Sequence, residues 1–299
     1  ASHTRVRVLE VIARLGYRPD PVARALASGH GDVIELVLID DAAVFSANPY
    51  YSRVTTGILQ ELAGSTAQLR VHVAPEAGAA ELLTRIAGTV SVGVVLINVP
   101  PALAADFHAR CDRVVSMTRS APAVPHVDAE NTAGAYAAID HLHGSGRRRI
   151  AAVHGPEGNP CADSRREGHH RAVRDLGLPD LAARGRFLRE PGYALTRRLL
   201  TEEPSLDALF VACDLMATGA LQALADAGRR VPDDVALVGF DDSLLAVCTT
   251  PQLSSVRQPV EQMAAAATRA LLRRQVAPHW RCVFPADLQI RRSSAPAPA

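Results

Sequence analysis

Ala208-Leu-Phe-Val-Ala-Cys-Asp214 and, a helix length later, Val235-Ala-Leu-Val-Gly-Phe-Asp-Asp242 decide how this chain folds. Each begins with a short apolar run unbroken by polar residues, which is how a strand buried on both faces of a parallel sheet reads. The stretch 215–227 between them has the length of a crossover helix, so strand, helix and strand make one βαβ unit. Working outward, a strand at 150–154 and helices near 131–143, 164–176 and 193–201 extend the same series. An equivalent series lies upstream, with strands at 33–39, 69–73, 90–97 and 114–117 and helices at 51–63, 78–87 and 102–110. The Pro-rich stretch Ala121-Pro-Ala-Val-Pro125 between the series suits a crossover strand better than a helix. The predicted fold class is α/β, with two doubly wound parallel-sheet lobes. Ligands of such sheets bind outside the carboxyl ends of the strands, so two lobes in series imply a cleft between them.

Composition agrees with two lobes and excludes several classes. A chain of 299 residues, 48% hydrophobic, is long enough for two cores. The net charge of +1 excludes a polycation built to coat nucleic acid. Its distribution is uneven: residues 1–31 carry Arg5, Arg7, Arg14, Arg18 and Arg24 against Glu10 and Asp20, a local +3 that leaves −2 for the rest. The five cysteines are scattered singly, without the CxxC spacing of a zinc site or the density of a disulfide scaffold, which fits a reducing cytoplasm. No apolar run reaches the roughly 18 residues of a membrane-spanning helix.

At the basic end, Val8, Val11, Ile12 and Leu15 form one apolar stripe on a helix that Ser2 can cap and Gly16 can end. Tyr17-Arg-Pro-Asp-Pro21 is an extended break, and Val22-Ala-Arg-Ala-Leu-Ala-Ser28 is a short helix stopped by Gly29-His-Gly31. A helix that short is marginal in water and needs a partner to hold it. The chain opens at Ala1 directly in helical pattern, as though sequence upstream has been lost.

These residues carry a resemblance. Thr4-Arg5, Leu15-Gly16-Tyr17 and Val22-Ala-Arg24-x-Leu26 resemble the third headpiece helix and the hinge helix of LacI-family transcriptional regulators, whose fold is periplasmic-binding-protein-like. The resemblance makes 1–31 a short α-helical remnant of the DNA-binding headpiece, with Thr4, Arg5, Arg24 and Leu26 as DNA-contacting residues. Leu26 takes the place of the wedge that kinks the operator, and the competing reading is an ordinary linker leucine. The family's helix-turn-helix corresponds to sequence upstream of Ser2. Asp20 stands where the family has Asn, an unfavourable charge near phosphates.

The resemblance continues along 32–299, the expected effector-binding domain, with an N-lobe at 32–128 and 258–280 and a C-lobe at 129–257 and 281–299. Asn48-Pro49-Tyr50-Tyr51 is similar to the family's loop whose aromatic rings face ligand; packing is the alternative for each ring. Arg165-x-x-Gly168 resembles the family's signature and implies Arg165 as the main ligand hook, a rigid fork of donors charged at any working pH. Asp214 is expected to cap the following helix, and Cys213 stands where the family places a ligand-binding Asn. Phe240-Asp241-Asp242 implies Asp241 as an acceptor for ligand hydroxyls. Together these imply a regulator that binds a small polar effector, a sugar or related polyol, works as a homodimer on operator DNA, and uses no cofactor, metal or membrane.

Enzyme readings find little support. No GxGxxG follows a strand and no P-loop occurs. His141/His143 and His169/His170 are spaced i, i+2 and i, i+1, off the one-face spacing of a helical metal pair, and read as surface histidines. Gly144-Ser-Gly146 lacks the full nucleophile elbow. The alternative from another class is a soluble periplasmic-type sugar-binding protein, which residues 1–31 argue against.

Overall fold

Val33–Ile39 (β1) is buried along its whole length because it runs down the middle of a sheet, parallel to Gln68–Ala74 (β2) on one side and Gly93–Ile97 (β3) on the other. Its one polar residue, Glu35, is 1% exposed. It is tolerated there because β2 supplies two donors in register, Arg70 Nη1 at 2.9 Å and His72 Nε2 at 2.8 Å. The computed structural model describes residues 32–295, and before them Val6, Arg7, Val11 and Arg14, which are helical and exposed. The rest of the expected hinge region, with Thr4, Arg5, Arg24 and Leu26, lies outside the described residues.

Helices Ala42–Ala47 (α1), Pro49–Leu62 (α2), Ala79–Ala87 (α3) and Pro101–Arg110 (α4) alternate with the strands of the first lobe, which continues through Val114–Ser116 (β4) and His126–Ala129 (β5). The second lobe follows with Asn131–Gly144 (α5), Ile150–His154 (β6), Pro160–Asp175 (α6), Leu181–Arg184 (β7), Arg189–Glu202 (α7), Ala208–Val211 (β8), Asp214–Asp226 (α8), Ala236–Asp241 (β9), Leu244–Cys248 (α9) and Ser254–Arg257 (β10). Val260–Leu272 (α10) and Arg281–Phe284 (β11) return to the first lobe, and Asp287–Gln289 (β12) ends in the second.

The two sheets have the same strand order, β2-β1-β3-β4-β5-β11 and β7-β6-β8-β9-β10-β12. Every pairing is parallel except β10 with β12. The order reverses between β1 and β3 and between β6 and β8, so each lobe has a switch point whose carboxyl edge opens toward the other lobe.

Two expectations are corrected. Ala121–Pro125 is no joint between lobes: Val124 and Ala121 pack into the core of the first lobe with Phe107 and Val114, and the chain leaves that lobe only after β5. Residues 281–284, assigned to the second lobe, instead pair with β5 in register Arg281 with His126 through Phe284 with Ala129. The strand is half exposed and carries too weak a pattern to reveal its sheet. The lobes are therefore joined by three threads, at 129–131, 257–260 and 284–287. Two are tied together where Glu130 N–H donates to Phe284 O at 2.9 Å.

The lobes also repeat each other in detail. The full-length helix that follows β1 and the one that follows β6 each start with an Asn cap followed by Pro: Asn48 accepts from Tyr50 N–H, and Asn159 from Ala162 N–H. Nine residues on from each Asn is a glycine at a helix crossing. A Cβ on Gly57 would stand 2.2 Å from Glu261 O of α10, and one on Gly168 would stand 2.2 Å from Thr132 O of α5. The glycine of the Arg-x-x-Gly signature thus serves close helix packing.

Candidate functional site

The carboxyl ends of the strands bring Arg165 and Asp241 to the same wall. Arg165 lies in the second turn of α6, is 3% exposed, and is fixed on all sides. Its Nε donates to Asn131 Oδ1 at 2.8 Å and its Nη1 to Ala212 O at 2.6 Å; Nη1 also lies 3.2 Å from Asp241 Oδ1. The guanidinium carbon stacks 3.8 Å from the centre of the Phe240 ring. Such a pair survives burial because further hydrogen bonds support both partners, from Arg165 to Asn131 and Ala212 and from Gln258 to Asp241.

Asp241 ends β9 with φ +104°, and Asp242 follows at +45°. Two consecutive non-glycine residues at positive φ are costly and need outside support. Arg53 of α2 supplies some, donating to Asp241 O at 2.8 Å across the lobe boundary, while Gln258 Nε2 donates to the Asp241 carboxylate at 2.6 Å. Asp242 is anchored by Arg257 at 2.6 Å and Arg291 at 2.7 Å. The turn therefore aims Asp241 into the cleft and Asp242 away from it. Burial raises the Asp241 pKa, and Arg165 opposes the shift.

Asp214 departs from its expected capping role. Cys213 occupies the cap position, its Sγ accepting from Met216 N–H at 3.5 Å. The Asp214 carboxylate instead accepts from Ser243 N–H at 2.7 Å, Ser243 Oγ at 2.9 Å and Ser255 Oγ at 2.6 Å. It thus ties the end of β9 to α8 and β10. Burial first, and the charge of Asp241 second, push its pKa up to about 7.

Arg165, Cys213, Asp241, Tyr50 and Tyr51 line one small cavity together with Asn48, Asn98, Thr118, Cys161 and Phe187. All five ligand-facing residues expected from the sequence thus meet in one place. Tyr50 and Tyr51 divide the work. Tyr51 is 4% exposed and packs against Phe45 with ring centres 5.6 Å apart, while its hydroxyl donates to Asp40 Oδ2 at 2.5 Å and accepts from Asn98 Nδ2 at 3.0 Å. Its ring belongs to the core, as the packing alternative has it, while the residue also lines the cavity. Tyr50 is less buried and is the ring available for stacking. Burial pushes the Cys161 thiol up to about 11 and that of Cys213 well above its ordinary value, so both sit at the wall as neutral, weakly polar groups.

Asn48 was read only as part of its loop, and four further lining residues were missed. Asn98, with φ +54°, stands one residue past β3, a position the strand-end rule could have flagged. Cys161 is the counterpart of Tyr50, each the second residue of its Asn-capped helix. Thr118 lies two residues past β4. Phe187 enters from the loop after β7 with no sequence pattern; its ring lies where a Cβ on Gly155 would be, at 2.3 Å.

The inner cavity measures about 30 Å³, room for a water or two. A chamber of about 550 Å³ adjoins it and is lined from both lobes, by Asp40, Asp41 and Pro100 on one side and Glu157, Asn159 and Arg186 on the other. Asn98 and the helix-capping Asn159 meet between the lobes, Asn159 Nδ2 donating to Asn98 Oδ1 at 2.9 Å. At the rim Arg186 pairs with Asp41.

A cleft of this kind, with a fixed donor and acceptor pair at its floor, defines a small-molecule-binding protein of the two-lobe periplasmic type. The family of the periplasmic binding protein-like domain matches residues 139–294, more than half of the chain. The HTH-type transcriptional regulator CelR of Thermobifida fusca is 32% identical over 97% of this chain and 89% of its own length. Catabolite control protein A of Priestia megaterium is 30% identical over 90% and 82%. Among solved structures, a CelR–cellobiose complex superposes with TM-score 0.81 at 30% identity over 98% of this chain and 91% of its own. A lac repressor dimer bound to operator and the anti-inducer ONPF superposes at 0.80 with 22% identity, over 98% and 91%, a likeness of fold. The chain belongs to the LacI family of transcriptional regulators.

Proposed function

We propose that this regulator is a repressor whose interlobe cleft binds a sugar and whose N-terminal segment, paired with that of a second copy, holds operator DNA in the cytoplasm. The observation that carries the reading is the buried Arg165–Asp241 pair, which offers a fork of donors beside an acceptor at the floor of the cleft. A polyol, with hydroxyls that both donate and accept, matches that pair, and Tyr50 and Phe187 offer rings to the apolar face of a pyranose. The lining polar groups bond to one another, as Asn159 does to Asn98 and Asn98 to Tyr51, a pattern that suits recognition of a polar molecule.

Cellobiose is the first compound to try, because the CelR complex named above holds it and that protein shares 30% identity with this chain. The inner cavity is too small for a pyranose while the lobes stand as described, so binding parts them at Arg186–Asp41 and Asn98–Asn159. A change in lobe angle that the sugar favours, and that the DNA-bound dimer favours or opposes, couples the two affinities reciprocally.

The test is calorimetric titration of cellobiose, other disaccharides, monosaccharides and nucleosides, followed by a mobility-shift assay on the regulator's own promoter region with and without the compound that binds. A sugar that binds one per chain and changes operator affinity is the expected outcome. Binding of a nucleoside alone, or no effect of any bound sugar on DNA, would refute the sugar-responsive reading.

A further inference from the structure

The second lobe contains a group of histidines that the cleft does not use. His154 ends β6, and His169 and His170 lie in the third turn of α6, one turn beyond Arg165. None of the three lines the inner cavity or the outer chamber. His169 was expected at the surface and is instead fully buried, and His154 is 3% exposed. Adjacent helix positions do not share a face, but a third histidine arriving from the neighbouring strand lies between them, which helix spacing alone could not reveal.

Ring centres are 5.0 Å apart for His154 and His169, 5.2 Å for His169 and His170, and 5.9 Å for His154 and His170. One ligating atom from each lies within 4.8 Å of the others. Neither ring nitrogen of His154 nor of His169 has a hydrogen-bond partner. A buried neutral imidazole carries one N–H and one lone pair, so four unpartnered nitrogens in adjacent buried rings are an uncompensated desolvation cost, rare in folded proteins.

We propose that His154, His169 and His170 form a transition-metal site, of a chemistry suited to Zn²⁺, in the interior of the second lobe. Imidazole is a preferred ligand of that class of ion, and three imidazoles leave one position for water or a carboxylate. A neutral imidazole keeps one free lone pair, and in these two buried rings nothing else engages it.

The surroundings are compatible with a dication. Asp180 brings a carboxylate 3.0 Å from His170 Nδ1 and 3.9 Å from His169 Nδ1, the arrangement by which outer carboxylates orient metal-bound histidines. The nearby cations are each matched by an acid, Arg166 by Asp163 at 3.1 Å and Arg184 by Glu157 at 2.6 Å. With Zn–N bonds of 2.0–2.1 Å, ligand nitrogens stand about 3.3 Å apart, so the rings must close by at most about 1.5 Å. His170, whose side chain is 41% exposed, has the freedom to close and gives the ion a way in.

The test uses tag-free, chelator-stripped full chain titrated with Zn²⁺ against a colour-forming competitor, and with Co²⁺ to read ligand-field absorption. One Zn²⁺ per chain is expected, with a Co²⁺ spectrum of nitrogen-rich tetrahedral type. His170→Ala, at a half-exposed position that does not threaten packing, should weaken Zn²⁺ by on the order of 100-fold. His169→Phe should do the same while its melting curve in chelator confirms a folded lobe. His141→Ala, whose ring contacts Ser294 at 2.8 Å elsewhere, should leave affinity unchanged. Absence of stoichiometric Zn²⁺ on the wild type, or equal affinity in His170→Ala, overturns the site.

Discussion

Replacing Arg165 by Ala removes the donor that holds the floor of the cleft, and the structure says what is stranded. The substitution strips the buried carboxylate of Asp241 of its paired cation, leaving it the hydrogen bond from Gln258, takes a donor from Asn131 Oδ1 and the Ala212 carbonyl, and leaves the Phe240 face bare. Breaking one partner from a buried pair costs about 3–5 kcal/mol, because the other charge stays behind without compensation. At about 2–4 °C per kcal/mol for a lobe of this size, the melting temperature should fall by on the order of 10 °C. The loss should depend on pH. Asp241 already has a raised pKa, and removing Arg165 raises it further, so the orphan takes up a proton in acid. A raised folded-state pKa gives stability that is present at low pH and lost as pH rises, so the deficit should be smaller at pH 5 than at pH 8. Adding Asp241→Asn should recover about 2 kcal/mol, since the stranded charge is gone. Urea unfolding of the four proteins at the two pH values tests this. A deficit below about 1 kcal/mol, or one that is unchanged with pH and additive with Asp241→Asn, would refute the account.

Gly168→Ala should cost about 1–3 kcal/mol by forcing its helix off Thr132 O, whereas Gly144→Ala, in the last turn of α5 with open space around it, should gain about 0.4–1 kcal/mol; chemical denaturation distinguishes them. Asp214, raised to about 7 in the folded protein, should make stability fall as pH climbs from about 4 to 7 and level off above that; Asp214→Asn should flatten that part of a melting-temperature profile. Arg186→Ala removes a half-exposed rim pair and should change stability by less than about 1 kcal/mol. It should nevertheless alter effector affinity by removing one contact that closed lobes make and open lobes lack, which titration calorimetry would detect.

What was legible in the sequence followed from period and position. Central strands such as β8 and β9 are apolar on both faces and stand out, and residues at or just past their ends, Asp241 closing β9 and Cys213 two residues beyond β8, fall at the site because the parallel architecture puts them there. Arg165 was legible through its family signature, though its glycine turned out to pack helices. Two things were not readable. Edge elements such as β11 alternate weakly, and the pairing that claims them is decided by chain crossings rather than by local composition. Contacts between distant elements, such as Phe187 over Gly155 or His154 beside His169, depend on which helix covers which strand end. No spacing rule along one element contains that information.

Three backbone threads between the lobes have a mechanical consequence. One connection would let two bodies swivel freely, but three adjacent ones, two of them joined at Glu130 and Phe284, resist shear and torsion and leave bending as the one soft coordinate. Work done by any molecule held in the cleft then goes into a single angle. β1 enters the first lobe at Val33, at the end of the strand away from the cleft, so a change in that angle swings this end of the lobe, much as a lever arm reports the opening of a jaw.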